Sequence, residues 1–374
     1  MNEYLDRHEH YDLHRDGRYL IAELRTPHQV LSTSAHRGGL CADLRFLVNH
    51  QSCEGTGHEA RFALIRQLGQ AGYHRHVCAE RGLPPDDVAV MGTAANMNCA
   101  AHVVETHAEL RVCTVVTAGV EGNAGCAGDP ATWHEEDAEW IRTNPHAGTI
   151  NIMLLINWPL TPGAMARAAV TMTEGKSAAL RDLAISSRYS HDLATGTGTD
   201  QYCIVSPLDE SRVPKTNAGH HAKLGELIGR AVRKATLESL RWQNGLEPSH
   251  TRSVFHALKR FGFGRDRFLR AMDVRLKEQE RELMEKNLES VVNEPRVSAA
   301  AYAYAAVWDR VRYGTLSQAL ADPVLRQQAA TLAASLAAKP EAWPSCYARL
   351  HPKENAPLDL VYDALALGWR LKWT

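Results

Sequence analysis

The chain has 374 residues, a formal net charge of -1, 44% hydrophobic and 23% charged residues. That length allows two or three domains and a core large enough to be stable without disulfides or structural metals. A near-neutral chain has no overall electrostatic pull toward nucleic acid or acidic lipid. The longest apolar run, Ile150–Trp158, is interrupted by Asn151 and Asn157 and is too short for a membrane span.

The start, MNEYLDRHEHYDLHRDGRY, is too polar for a secretory leader, and none of the eight cysteines forms a C-x-x-C pair. A reduced, cytoplasmic protein is the simplest expectation. His8, His10 and His14 have no carboxylate at ligand spacing on a defined element, so they read as a frayed polar terminus and no protein-bound metal is expected.

Short apolar or β-branched runs bounded by Gly, Pro, Asn or Asp predict strands at Tyr19–Leu24, Gln29–Ser34, Leu44–Asn49, Val88–Met91, Arg111–Ala118, Thr149–Asn157 and Gln201–Ser206. Helices are predicted at His58–Gln70, Ala94–Thr106, Pro162–Ser187 and His220–Asn244. In the last, Leu224, Ile228, Ala231 and Ala235 recur at three- and four-residue spacing opposite Arg230, Arg233 and Lys234. Strands that both neighbour one another and alternate with helices imply an α/β (α+β) domain with a mixed sheet.

After residue 248 glycine thins out and helix formers dominate. Helices are predicted at Ser249–Phe261, Arg265–Val292, Ser298–Gly314, Pro323–Ala338 and Asp359–Leu371, with Pro295, Pro323, Pro340 and Pro357 between them. The expected division is therefore an α/β domain over 1–248 and a mainly α-helical domain over 249–374. Residues 1–250 hold 23 Lys+Arg and 29 Asp+Glu, and residues 251–374 hold 19 and 14, so the parts carry about -6 and +5. The basic stretch Lys259–Lys277 has few aromatic residues and passes into acidic residues, which reads as a solvated, salt-bridged helix; nucleic acid is not an expected partner.

Three loops concentrate Gly, Thr, Asn and Asp: Thr117–Pro130 (TAGVEGNAGCAGDP), Ala147–Asn151 (AGTIN) and Ala194–Asp200 (ATGTGTD). Glycines let backbone amides approach a ligand, and Thr and Asn offer short donors and acceptors. Tight turns with satisfied backbones account for any one loop alone. GHHAKLGE (Gly219–Glu226) places His220 and His221 where a helix is predicted to begin; the positive end of the dipole would keep an imidazole neutral and able to act as a base. A capped helix with solvated histidines is the plainer alternative.

TEGKSAAL (Thr173–Leu180) spells G-K-S, but Val170 occupies the first P-loop glycine position and the segment lies inside a predicted helix, which excludes an NTPase loop. ATGTGTD lacks the third glycine of a dinucleotide fingerprint, and no G-x-S-x-G is present.

The order of STSAHRGG (Ser32–Gly39), TAGVEGNA, GTINIMLLIN (Gly148–Asn157), TEGKSAAL, ATGTGTD and GHHAKLGELIGRA (Gly219–Ala231) resembles the adenosylcobinamide amidohydrolase family, known as CbiZ, over about residues 15–245. The resemblance implies a corrinoid-salvage hydrolase that cleaves the aminopropanol amide of adenosylcobinamide to adenosylcobyric acid, with complete cobamides as further substrates. Arg37 stands where an asparagine is expected before the glycine pair, a departure that could suit a phosphorylated or nucleotide-bearing substrate. Gly175 stands where alanine is expected before the lysine.

For this reaction Asp200, His220 or His221 are candidates to activate water, and Glu226 or Lys176 to serve the leaving amine. Thr117, Gly119, Asn123, Asn151, Thr195, Thr197 and Thr199 would donate to the oxyanion or hold corrin amides, with Ser32 and Thr33 as further substrate contacts. Thr197 or Thr199 as a covalent nucleophile is a variant. No cofactor is expected beyond the cobalt that the substrate carries; a homo-oligomer is open. A non-catalytic corrinoid carrier or sensor, and a self-processing threonine enzyme, are the alternatives.

Overall fold

The computed structural model describes residues 3–52, 57–131, 133–136, 139–142, 148–353 and 356–374. Ala147, the first residue of AGTIN, and Cys53 lie outside them. The chain forms two compact units, Met1–Glu247 and Pro248–Thr374. The first carries, in order, β1 (Glu3–His8), β2 (Tyr11–Asp16), β3 (Tyr19–Leu24), β4 (His28–Ser32), β5 (Gly39–Cys41), β6 (Phe46–Gln51), α1 (Gly57–Ala79), β7 (Val88–Thr93), β8 (Ala101–His107), β9 (Leu110–Gly119), β10 (Ala124–Gly125), β11 (Trp133–Glu136), β12 (Glu139–Arg142), β13 (Thr149–Ile156), α2 (Pro162–Asp182), β14 (Gly196–Thr197), β15 (Gln201–Pro207) and α3 (Lys223–Asn244).

Two mixed sheets stack face to face. One has the order β1-β2-β3-β6-β7 and the other β5-β4-β15-β13-β9-β8. Each is antiparallel except for one parallel pair, β6–β7 and β13–β15, whose partners are separated in sequence by α1 and α2. That separation is what a parallel connection requires.

The burial pattern makes four layers. Tyr19, Ile21, Phe46, Val48 and Val88 pack with Val77 and Cys78 of α1. On the other face of that sheet, Tyr11, Leu13, Leu20, Leu47 and Met91 meet Cys113, Val115, Met153, Leu155, Cys203 and Val205 of the second sheet. Beyond it, Ile150, Ile152, Leu154 and Ile156 pack with Met165, Met172, Leu224, Ile228 and Val232 of α2 and α3. Strand β13 is thus buried on both faces, which is why it reads as an apolar run past Asn151. The α2 start is set by Thr161, whose side chain accepts from Ala164 N at 3.2 Å, followed by Pro162. Gly175 and Gly229 mark the α2–α3 contact: a Cβ on Gly175 would stand 3.1 Å from the Gly229 carbonyl oxygen. Close helix approach accounts for glycine where alanine was expected.

Several sequence expectations are corrected. Ala94–Thr106 is not a helix: a 3₁₀ turn at Met97–Cys99 leads into β8, whose residues pair with β9. The β-branched Val103, Val104 and Thr106 suit that pairing. The histidine-rich start is a paired hairpin, β1–β2, with Tyr11 and Leu13 buried between the sheets. Helix α3 begins at Lys223, after His220 and His221, and α2 ends at Asp182. Helix α1 runs on to Ala79 through a kink at Gly69, whose φ is 67°.

The second unit is helical throughout: α4 (Val254–Leu258), α5 (Arg265–Asp273), α6 (Glu278–Lys286), α7 (Leu288–Val292), α8 (Pro295–Arg312), α9 (Gln318–Ala337), α10 (Trp343–Arg349) and α11 (Pro357–Lys372). The long helix predicted at Arg265–Val292 is three short ones, with a capping box at Lys277–Glu280 restarting the chain and Asn287 ending α6. Pro323 lies inside α9 rather than before it, because Ser317 caps that helix five residues earlier than predicted. The basic stretch is only partly solvated. Arg260 holds both carboxylate oxygens of Asp309 at 2.7 and 2.6 Å, with both side chains nearly buried, and Arg275 bonds Asp363 at 2.6 Å. Among the described residues no helix is long and apolar enough to cross a membrane.

Burial pushes the imidazoles of His28 and His50 down to about 4. His50 stacks on Tyr19 at 4.6 Å, and Glu80, 4.0 Å away, offsets only part of its desolvation. His8, His14, His74 and His102 are lowered by burial as well. The unfolded chain binds these protons near pH 6.5, whereas the folded chain takes them up only at lower pH, about 4 for His28 and His50. Stability should therefore fall as pH drops from 6.5 to 4, each fully shifted histidine adding a slope approaching about 1.4 kcal/mol per pH unit. Urea midpoints at pH 7 and pH 5 check this, and His50→Phe should flatten the difference.

Candidate active site

Strand β15 begins at Gln201, and the turn before it ends on Asp200. Ion pairing and hydrogen bonding concentrate on that carboxylate. Oδ1 accepts from Ile150 N at 3.0 Å and from the Thr197 hydroxyl at 2.5 Å; Oδ2 accepts from Thr197 N at 3.1 Å and from Lys176 Nζ. Lys176 reaches it from α2 and is 8% exposed. A lysine that deep is stable only with a partner. Gly196 closes over the pair: a Cβ there would overlap the Asp200 carboxylate and stand 2.6 Å from Lys176 Nζ. The glycine of A-T-G-T-G-T-D is thus demanded by the ion pair beneath it.

The neighbouring loops join this pair. Ala124–Gly125 pairs with Gly196–Thr197 as β10–β14. Thr195 Oγ1 accepts from Ala127 N at 2.9 Å, and Ser177 Oγ donates to Thr195 O at 2.9 Å. Asn123 is buried; its Nδ2 donates to Gly148 O at 3.0 Å and Thr199 Oγ1 at 3.4 Å, while its Oδ1 accepts from Tyr189 OH at 2.5 Å. Thr199 Oγ1 donates to Gly148 O at 2.8 Å. Tyr189 had no sequence signal beyond being aromatic in a loop.

Behind these loops a polar network crosses between the sheets. Asn151 Nδ2 donates to Asn49 Oδ1 at 2.9 Å and to Gly92 O at 3.1 Å; Asn49 Nδ2 donates to Thr117 Oγ1 at 2.8 Å; Gly92 N donates to Gln201 Oε1 at 2.8 Å. Asn151 and Thr117 are fully buried, so their polar groups serve the protein interior. Asn49 was missed because it ends the predicted strand Leu44–Asn49, directly after the apolar Phe46, Leu47 and Val48.

Ser32 and Thr33 lie beside the start of β15: Thr33 Oγ1 accepts from Tyr202 N at 2.9 Å, and Ser32 pairs with Cys203. Gly119 pairs with Thr149 across β9–β13. Arg37 has φ 56° and an ion pair with Asp43. The left-handed conformation explains why asparagine is the expected residue there.

His220, His221 and Glu226 are not brought to this cluster. Ala118 N, on the strand position paired with Ile150, donates to Ser239 Oγ of α3 at 2.9 Å. Glu226 pairs with Lys223 and Arg230 at the surface, and His220 lies exposed, 3.2 Å from Glu174 and 4.7 Å ring to ring from His221. Glu174 and Lys176 are two positions apart on α2 and so face opposite ways. The GHHAKLGE signature has a packing origin. Ala218 and Gly219 fold over the first turn of α3, where a Cβ on Gly225 would overlap the Gly219 carbonyl.

Among the described residues, two groups bring three metal-type ligands within 4.8 Å, Asp6–His102–Cys113 and His8–Glu9–His10. In the first, Arg111 already holds both Asp6 oxygens at 2.9 and 2.8 Å. Neither includes Lys176, Asp200, Thr197 or Asn123. The buried thiols of Cys113 and Cys203 are pushed up to about 12, out of the range of a reactive thiolate.

The family profile described as adenosylcobinamide amidohydrolase matches residues 1–248, the whole first unit. The chain belongs to the adenosylcobinamide amidohydrolase family. It is also similar to an uncharacterized protein of Methanocaldococcus jannaschii, 37% identical over 230 residues that span 59% of this chain and 85% of that protein. Two family segments, TEGKSAAL and ATGTGTD, therefore meet in one ion pair.

Breaking that pair from one side should destabilise the fold by about 3 kcal/mol, because the other charge is left buried. Lys176→Met and Asp200→Asn should each show this loss in urea unfolding. The double variant should lose less than the sum of the two, and an additive result would mean the groups are not coupled.

Proposed function

We propose that the protein hydrolyses the amide joining aminopropanol to the corrin ring of adenosylcobinamide, releasing aminopropanol and adenosylcobyric acid in cytoplasmic corrinoid salvage, with complete cobamides as an extension of the same substrate class. The observation that carries this reading is the convergence of Lys176, Asp200, Thr197 and Asn123, drawn from three family segments, at one end of the six-stranded sheet. Membership of an amidohydrolase family supports the reaction class.

An unactivated amide needs an activated oxygen nucleophile, donors for the oxyanion and a proton for the departing amine. Asp200 supplies the base and Lys176 an ammonium proton for the leaving nitrogen. Gly198 of the 195–199 turn supplies a backbone donor, and Asn123 braces that turn through Gly148 O and Thr199 Oγ1. Thr195 and Thr199 shape that turn, while Thr117 and Asn151 hold the strands beneath it. His220, His221 and Glu226, at and before the start of α3, are left outside the reacting groups. No resident metal is proposed, because the Asp200 carboxylate already has an ammonium partner. The helical unit after residue 248 lies outside the family match, and we assign it a regulatory or oligomerising role.

The test is incubation of the full chain with adenosylcobinamide and identification of products by mass. Aminopropanol and adenosylcobyric acid are expected, and activity should persist after chelator treatment. Asp200→Asn and Lys176→Met should lower kcat at least about 100-fold, and His220→Ala or His221→Ala less than about tenfold. Tight binding with the substrate recovered intact would instead make the protein a corrinoid carrier or sensor.

A further inference from the structure

The geometry points to Thr197 as a covalent nucleophile that forms an acyl-enzyme with the corrin side chain. This rests on the amidohydrolase reading above and adds the identity of the attacking atom.

A carboxylate offers about four lone-pair positions. On Asp200 they are met by Ile150 N, Thr197 Oγ1, Thr197 N and Lys176 Nζ. A water molecule could use Asp200 as its base only by displacing one of these donors. Three of them are nitrogens fixed by the backbone or by the buried lysine. The fourth is a hydroxyl, and it already stands 2.5 Å from Oδ1 with its proton directed at the carboxylate. The oxygen that Asp200 can activate without rearrangement is therefore that of Thr197.

The other hydroxyls of the cluster are set differently. Thr199 Oγ1 donates to the Gly148 carbonyl, Ser177 Oγ to the Thr195 carbonyl and Thr149 Oγ1 to the Thr199 carbonyl, none of which can take a proton. Ser187 Oγ does donate to a carboxylate, Asp129 at 2.6 Å, but Ser187 is buried and the other partners there are Cys126 N and the Ser190 side chain, not an ammonium. Thr197 combines a carboxylate acceptor, an ammonium behind that acceptor and partial exposure between Gly196 and Gly198. The Asn123 amide, held by Gly148 O and Thr199 Oγ1, lies 3.9 Å from where a Cβ on Gly198 would stand and braces the same turn.

In the first half-reaction, Thr197 Oγ1 bonds to the side-chain carbonyl carbon as its proton passes to Asp200 Oδ1. The C–N bond breaks, Lys176 Nζ gives a proton to the departing nitrogen, and Asp200 returns its proton to Lys176. Aminopropanol leaves and an ester remains on Thr197. In the second half, water attacks the ester carbon, the C–O bond to Thr197 breaks, and Thr197 regains a proton as the acid leaves. The sum is one amide and one water giving one acid and one amine.

Rapid-quench kinetics on the full chain with adenosylcobinamide, with peptide mass mapping, decides the matter. The expected result is a peptide containing Thr197 that is heavier by adenosylcobyric acid less one water. Thr197→Val, isosteric but lacking the hydroxyl, should lose at least about 1,000-fold in kcat. Thr197→Ser should keep the adduct and turn over within about tenfold of the parent. The proposal is overturned if Thr197→Val turns over within tenfold of the parent, or if the active parent chain carries its adduct elsewhere or none at all. Should Thr197→Val fail to fold, the adduct map of the parent chain decides by itself. A parent chain that releases no aminopropanol would instead defeat the reaction reading, a result distinct from an active Thr197→Val.

Discussion

A lysine ammonium withdrawn from water needs a counter-charge, and the Lys176–Asp200 pair meets that need while joining three parts of the first unit. Lys176 belongs to α2, Asp200 to the turn before β15, and Ile150, which donates to the same carboxylate, to β13. The helix layer, the central strand and the glycine-rich turn are thereby held at one point. Removing one partner leaves an uncompensated charge, which costs far more than the pair contributes as a whole. The turn conformation follows from this: Gly196 must pass over the pair without a side chain, and Thr197 is drawn in by two bonds to the same carboxylate.

The four-layer arrangement sets where such a point can exist. Strands β13 and β15 are buried on both faces, so side chains along their middles are committed to apolar packing. Polar chemistry is confined to strand ends, where loops meet water. At this end the interior is itself polar: Asn49, Thr117 and Asn151 bond to one another across the two sheets. Such a closed network tolerates burial because its members have partners, and it ties β6, β9 and β13 together directly beneath the loops.

Much of the fold could be read from residue pattern. Strand β3 agrees residue for residue with its apolar run, and β13 and β15 agree within a residue at their ends. Elements that rely on partners were harder. β8 has a Val-Val-Glu centre and follows Asn98-Cys99-Ala100, a stretch that fits a helix locally, and only pairing with β9 selects the strand. The β1–β2 hairpin looked like a polar tail because its alternation is weak, yet Tyr11 and Leu13 are enough to anchor it under the second sheet. The segments 117–130, 173–180 and 194–200 meet in the structure, whereas Gly225 of GHHAKLGE answers to the backbone of residues 218–219 folding over α3.

Composition and pattern, taken without a structure, determined an α/β part followed by a helical part and the segments rich in Gly, Thr and Asn, because burial periodicity and turn chemistry are local properties of a chain. Which of those segments share a site was decided by tertiary structure alone. Lys176 and Asp200 are joined through space across 24 positions, whereas His220 and Glu226, close together in sequence, bond elsewhere, His220 to Glu174 and Glu226 to Lys223 and Arg230. Charge pairing in a buried place is a property of three-dimensional proximity, and no spacing along the chain encodes it.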